Sequence, residues 1–246
     1  IIYFFILLPS CIGIKNQNSV EIDLSKTVPS IKYSTFVKNI EYVDLHLNDS
    51  LPIYGVENLY LDENKIFIKD RKSEGILIFD AITGKLLKRI TQYKEGPEEI
   101  KIIGAFCLDT YNKQLCIFDK GDMKIKLYDY SGDYISSYVV SDFFIDMAKL
   151  DKNSMTYFYP IYTDNEQKEG IWTLNSLDKT VIHLDSSITE NCRLHYFPML
   201  YNNNGSMVYY YDRNRDKLSL VTFDKMENMY SCLLYTSPSP RDYAAP

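Results

Sequence analysis

Residues 56–90 read VENLYLDENKIFIKDRKSEGILIFDAITGKLLKRI, and residues 104–138 read GAFCLDTYNKQLCIFDKGDMKIKLYDYSGDYISSY. The two stretches are one pattern written twice. Asp70 falls on Asp119 and Asp80 on Asp129, both at a shift of 49, while Gly84 falls on Gly132 one residue out of step. Each copy is four short apolar runs cut by turn residues. In blade-like terms the runs are residues 56–61, 65–69, 76–79 and 86–90, then 105–108, 115–118, 125–128 and 134–138. Four strands recurring at about 40–50 residues are the signature of a β-propeller blade. The fold expected is therefore all-β, a propeller of four-stranded antiparallel blades. In the segment from Asp80 to Gly84 the glycine supplies the positive φ that a tight turn needs.

The same reading extends outward with less regularity. A third blade is expected over 143–150, 155–159, 171–174 and 180–184, with Pro160 ending its second strand because proline cannot donate to a ladder. A fourth begins near Leu194 and continues through MVYYYDRNRDKLSLVTFD. Upstream, EIDL, IKYSTF and IEYVDLHL read as short strands, and such a lead-in can complete the last blade and close a ring. The partial propeller is expected to occupy 29–231, after a tether and lead-in at 12–28.

Composition narrows the function class. The chain has 246 residues, 46% of them apolar, enough for a sizeable core. A net charge of −6 argues against nucleic acid as a partner, because phosphate binding needs a basic surface. The 22 tyrosines favour strand over helix. The sequence has no nucleophile elbow, phosphate loop or zinc motif, so no catalytic residue, metal ligand or cofactor is assigned. His183 and His195 lack a repeated spacing and read as packing or surface residues, and Trp172 reads as core. Cys107 and Cys116 flank one hairpin and sit opposite each other; they read as small buried hydrophobes, with a disulfide as the alternative.

The two ends carry separate signals. Residues 1–9, IIYFFILLP, are too short to span a bilayer and read as the apolar part of a secretory signal. With Leu8-Pro9-Ser10-Cys11 the run resembles a bacterial lipobox, which implies a signal over 1–11 and lipid attachment at Cys11. Acylation there supplies the two chains that stable anchoring to a lipid bilayer requires. At the other end CLLYTSPSPRD, Cys232 to Asp242, resembles translated sequencing-adapter read-through, which makes 232–246 a non-native tail; the alternative is a Pro/Ser-rich tail.

Lipobox, lead-in IEYVDLHLNDS, the stretch from Lys65 to Ile90 and the loop KEGPEEI at residues 94–100 together resemble the β-propeller lipoproteins of Bacteroidetes, with NHL-like blades. That resemblance implies six blades, of which about four are written here, and an envelope location, lipid-anchored and periplasm-facing or at the outer membrane. It implies no assigned activity. Glu98 stands where the family's loop usually carries glycine.

In a blade the turn from the second to the third strand and the loop between blades open on one face. On it an acidic–basic dipeptide recurs: Asp70-Arg71, Asp119-Lys120 and Asp212-Arg213. Arg71, Lys120 and Arg213, with Glu95, Glu98 and Glu99 of the inter-blade loop, form the candidate binding face. Each aspartate also reads as the cap of its own turn, and each cation as solvated. The function expected is a non-catalytic binding module for protein, peptide or glycan. The alternative is a propeller lyase or hydrolase acting on glycans or peptides, with catalytic residues partly in blades not written here.

Overall fold

The computed structural model describes residues 32, 34, 37–47, 53–71, 75–159, 170–185, 199–203, 207–212 and 217–231. Among the described residues sixteen strands make four antiparallel sheets, each with its strands in chain order. Blade one holds β1 (Val56–Asp62), β2 (Lys65–Asp70), β3 (Gly75–Asp80) and β4 (Leu86–Thr91). Blade two holds β5 (Ile103–Asp109), β6 (Gln114–Asp119), β7 (Lys124–Asp129) and β8 (Tyr134–Val139). Blade three holds β9 (Asp146–Lys149), β10 (Ser154–Tyr159), β11 (Gly170–Asn175) and β12 (Val181–Asp185), and blade four β13 (Met199–Asn203), β14 (Met207–Asp212), β15 (Lys217–Val221) and β16 (Met226–Ser231). The four sheets stand as blades of a β-propeller, with β5 against β9 and β9 against β13 on the inner side.

Alternation along each strand explains the stacking, because successive side chains leave opposite faces of a sheet. Phe67, Ile76, Ile78 and Ile90 of blade one meet Phe106, Leu108, Leu115 and Ile117 of blade two. The intervening residues Cys107, Cys116, Phe118 and Ile125 leave the other face and meet Met147, Met155 and Tyr157 of blade three. Ala148, Phe158 and Ile171 then meet Val208, Tyr210 and Val221 of blade four. Each fully buried side chain of this size contributes about 1.5–3 kcal/mol. On the inner side Tyr60 and Phe106 join blades one and two edge to face, with ring centroids 5.0 Å apart.

Turns follow the repeat. Asp80 accepts from the backbone N–H groups of Ile82 and Thr83, and Asp129 from those of Ser131 and Asp133. Gly84 and Gly132 then take positive φ, at 69° and 82°. Gly84 has a second reason to lack a side chain. A Cβ there would lie 1.8 Å from the Asp44 carbonyl oxygen, because the lead-in crosses blade one at this point.

Two elements differ from expectation. The stretch IEYVDLHL makes only one bridge among its described residues, parallel, from His46 to Lys85. It lies on the face of blade one, where Leu45 and Leu47 pack against Ile68, Leu77 and Phe79, and so has no sheet edge to pair with. The first strand of blade three is shorter than 143–150: Phe143 and Phe144 precede it, and Phe144 stacks on Phe118 with centroids 4.1 Å apart. The earlier segments at 1–28, Pro160, His195, Arg213 and the tail 232–246 lie outside the described residues.

Candidate functional site

The second strand of each of the first two blades ends in a buried aspartate, and that residue ties the incoming chain to the sheet. Asp70 Oδ1 accepts from the N–H groups of Tyr54 (3.0 Å) and Gly55 (2.8 Å). Asp119 accepts from Lys101 (2.9 Å), Ile102 (3.0 Å) and Gly121 (3.0 Å). Both carboxylates therefore fix the entry to an innermost strand. The residue after each aspartate, Arg71 or Lys120, is exposed.

Those two residues, Arg71 and Lys120, line one cavity of about 730 Å³, with Glu57, Lys69, Gln92, Phe143 and Asp146 among its other walls. Its other charged side chains and Gln92 are engaged with the protein. Lys69 donates to the Gly104 carbonyl at 2.9 Å and pairs with Glu57 at 3.3 Å. Gln92 accepts from the Ile103 N–H at 2.8 Å, and Asp146 from the Met147 N–H at 2.9 Å. Arg71 and Lys120 are exposed and make no ion pair with a described residue. Phe143 presents an exposed ring beside them. The cavity thus offers two uncommitted cations and one aromatic face, a combination suited to a ligand with an anionic group and a flat apolar part.

The loop carboxylates do not join this cavity. Glu99 pairs with Lys94 at 3.6 Å. The loop's backbone is held on blade two instead: Tyr128 Oη donates to the Glu98 carbonyl at 2.6 Å, and Lys126 Nζ donates to that of Glu99. Lys126 is fully buried and is the residue that reading the sequence missed. It pairs with Asp119 at 2.8 Å and Asp122 at 3.1 Å. Burial pushes the Asp119 carboxyl up, but Lys126 and the backbone N–H groups outweigh it and hold it below the usual carboxylate range. Lys126 is raised: burial opposes its charge, and its two aspartate partners prevail. One signal existed, a charge at the position where the first copy has Leu77.

The other singled-out residues fall elsewhere. Cys107 and Cys116 are register partners, both free and buried. Trp172 of β11 stacks on His183 of β12, with centroids 4.3 Å apart. Among the described residues no group of histidine, cysteine and carboxylate side chains is arranged to hold a metal ion.

Comparison with known proteins agrees with this architecture. A family model described as domain of unknown function (DUF4934) matches residues 18–232, so the chain belongs to that family. None of the curated proteins matches it. A solved Bacteroides fragilis protein, named for export, superposes with a TM-score of 0.65 at 17% identity, over 79% of this chain and 55% of its own. The Kuenenia stuttgartiensis hydrazine synthase gives 0.46 at 13% identity, over 76% and 52%. A Bacteroides vulgatus member of the DUF4221 family gives 0.43 at 12%, over 69% and 53%. The chain therefore spans about half the length of the solved structures it matches.

Proposed function

We propose that this member of the DUF4934 family is an exported, non-catalytic binding module that takes its ligand at the inner end of the blades, between Arg71 and Lys120. The carrying observation is that a repeated dipeptide brings two exposed cations, unpaired among the described residues, into one cavity whose other charged side chains are engaged. An anionic group on a glycan or peptide is the ligand chemistry this favours. Export is supported by the apolar run ending at Cys11 and by the name of the Bacteroides fragilis neighbour. In this reading Cys11 is acylated and ties the protein to a lipid bilayer in the cell envelope, and the whole protein is a six-bladed propeller of the NHL-like kind.

The binding reading is tested on arrays of glycans and peptides, comparing the chain with an R71A/K120A variant. Binding to ligands bearing carboxylate, sulfate or phosphate groups, lost in the variant, supports it. Binding that survives both substitutions contradicts the assignment of this cavity. The anchor is tested separately by palmitate labelling, which C11S abolishes if Cys11 carries the lipid; label retained in C11S rules it out.

A further inference from the structure

The junction between blades two and three differs from its neighbour. Between blades one and two, Ile100 of the loop, Tyr128 and Tyr130 complete the packing. Between blades two and three a cleft of about 800 Å³ remains, which lies within the range of small-molecule sites. Leu127, Tyr138, Phe144, Met155, Trp172 and Leu174 line it. An apolar cleft of this depth left to water forfeits the contacts that a close-packed interior makes.

Its polar groups are unevenly placed. Asp109 and Lys149 pair at 3.1 Å, both nearly buried, and cancel each other at the ends of the inner strands. Two exposed lysines stand at the turn end of the cleft: Lys152 in the turn before β10 and Lys179 in the turn before β12. Neither makes an ion pair with a described residue. Asp142, in the loop before β9, lies at the far end. The Tyr138 and Tyr157 hydroxyls both meet the Met155 sulfur, a weak acceptor, at 3.6 and 3.7 Å. The cleft is therefore apolar inside, with Lys152 and Lys179 at one mouth, where Asp151 and Asp178 of the same turns accept from backbone N–H groups, and with Asp142 at the other.

We propose that this cleft binds a single-chain alkyl carboxylate, its chain between the blades and its carboxylate at Lys152 and Lys179. The chain would replace missing packing contacts, and the unpaired lysines would orient it against the Asp142 end. Phe144 lines both this cleft and the Arg71–Lys120 cavity, but Lys152 and Lys179 belong to the cleft alone and Arg71 and Lys120 to the cavity alone, so different substitutions test each. A neutral ligand would leave both lysines unused, and a headgroup alone would leave the apolar walls uncovered.

Trp172 is the only tryptophan in the chain and lines the cleft, so its fluorescence reports occupancy. Bromododecanoic acid, whose bromine quenches indole, is titrated against the full chain below its micellar concentration, beside bromododecanol. The expected result is saturable quenching by the acid, weakened about threefold to tenfold in K152A/K179A, with the alcohol binding more weakly and equally to both proteins. Val181→Phe, on an edge strand at the cleft wall, weakens the acid without altering the far-ultraviolet spectrum. Non-saturable quenching overturns the proposal. So does saturable quenching equal for acid and alcohol and indifferent to the lysines, or unaffected by Val181→Phe.

Discussion

Blades one and two are the same four strands built from copies 49 residues apart, yet their corresponding faces are covered by different means. In blade one, Leu77 joins Ile68 and Phe79 in an apolar face on which Leu45 and Leu47 of the lead-in pack. In blade two, the corresponding Lys126 is equally buried, pairs with Asp119 and Asp122, and holds the loop before β5 by the Glu99 carbonyl. The aspartates at the strand ends do one job in both blades, tying the incoming chain. The repeat thus sets the backbone, and one position per copy selects what covers the face. The buried pair does not make blade two the more stable: ion pairs removed from water roughly break even with apolar packing. What it does is make blade two sensitive to loss of either partner.

The sharpest break in the comparison is Lys126→Leu, which gives blade two the residue of blade one. It leaves the buried Asp119 without its counter-charge, while Asp122 keeps Lys101 at 2.6 Å, and is expected to cost about 3–5 kcal/mol in urea unfolding. An unchanged midpoint would mean that the pair does not hold the loop. The same pair sets a pH dependence. Asp119 is held below its unfolded value near 4, so its contribution is present above that pH and is lost as the pH falls through the lower folded value. Lys126 is raised above about 10.4, so its contribution is present below that pH and is lost as the pH rises through the folded value. The urea midpoint is expected to be flat between these limits and to fall on both sides, with a shallower acid arm in Lys126→Leu.

Smaller changes sharpen the contrast. Asp70→Ala orphans the N–H groups of Tyr54 and Gly55, and is expected to cost about 1–3 kcal/mol. Gly84→Ala meets both the positive φ and the Asp44 carbonyl, at a similar or slightly smaller cost of about 1–2 kcal/mol. Hydrogen exchange should place that loss in the lead-in and not in blade two. Arg71→Ala and Lys120→Ala, exposed and unpaired, should change stability by no more than about 0.5 kcal/mol while removing ligand binding. A larger loss would make them structural residues.

The blades were legible because their evidence is local. Period-two alternation and the Asp–Gly turns fix strand bounds to within a residue or two over blades one and two. Asp70 and Asp119 read as caps of their own turns; Asp119 does accept from Gly121, but the bonds to Tyr54 and Gly55 and to Lys101 and Ile102 of the incoming chain depend on segments 15–18 residues away and had no local signal. The lead-in misled for the converse reason: IEYVDLHL alternates like a strand, but whether it pairs at an edge or lies on a face depends on where the sheet leaves room. Lys126 could not be placed from its neighbours either. Its position says inside and its charge says outside, and the resolution lies in Asp119, seven residues back and on another strand. Arg71 and Lys120 were found by repetition, whereas their separation from Glu95, Glu98 and Glu99 depends on how the loop docks. The cleft between blades two and three has no sequence signal, because it is a gap between faces that each look complete.

Everything here depends on the first two sheets being stacked face to face about a common axis, with their second strands ending at one cavity. Aromatic nuclear Overhauser effects measure this directly. Tyr60 to Phe106 and Phe67 to Tyr130, with ring centroids 5.0 and 4.9 Å apart, should both give cross-peaks. Absence of both, with backbone contacts between β4 and β5 in their place, would mean one continuous sheet and would contradict the account.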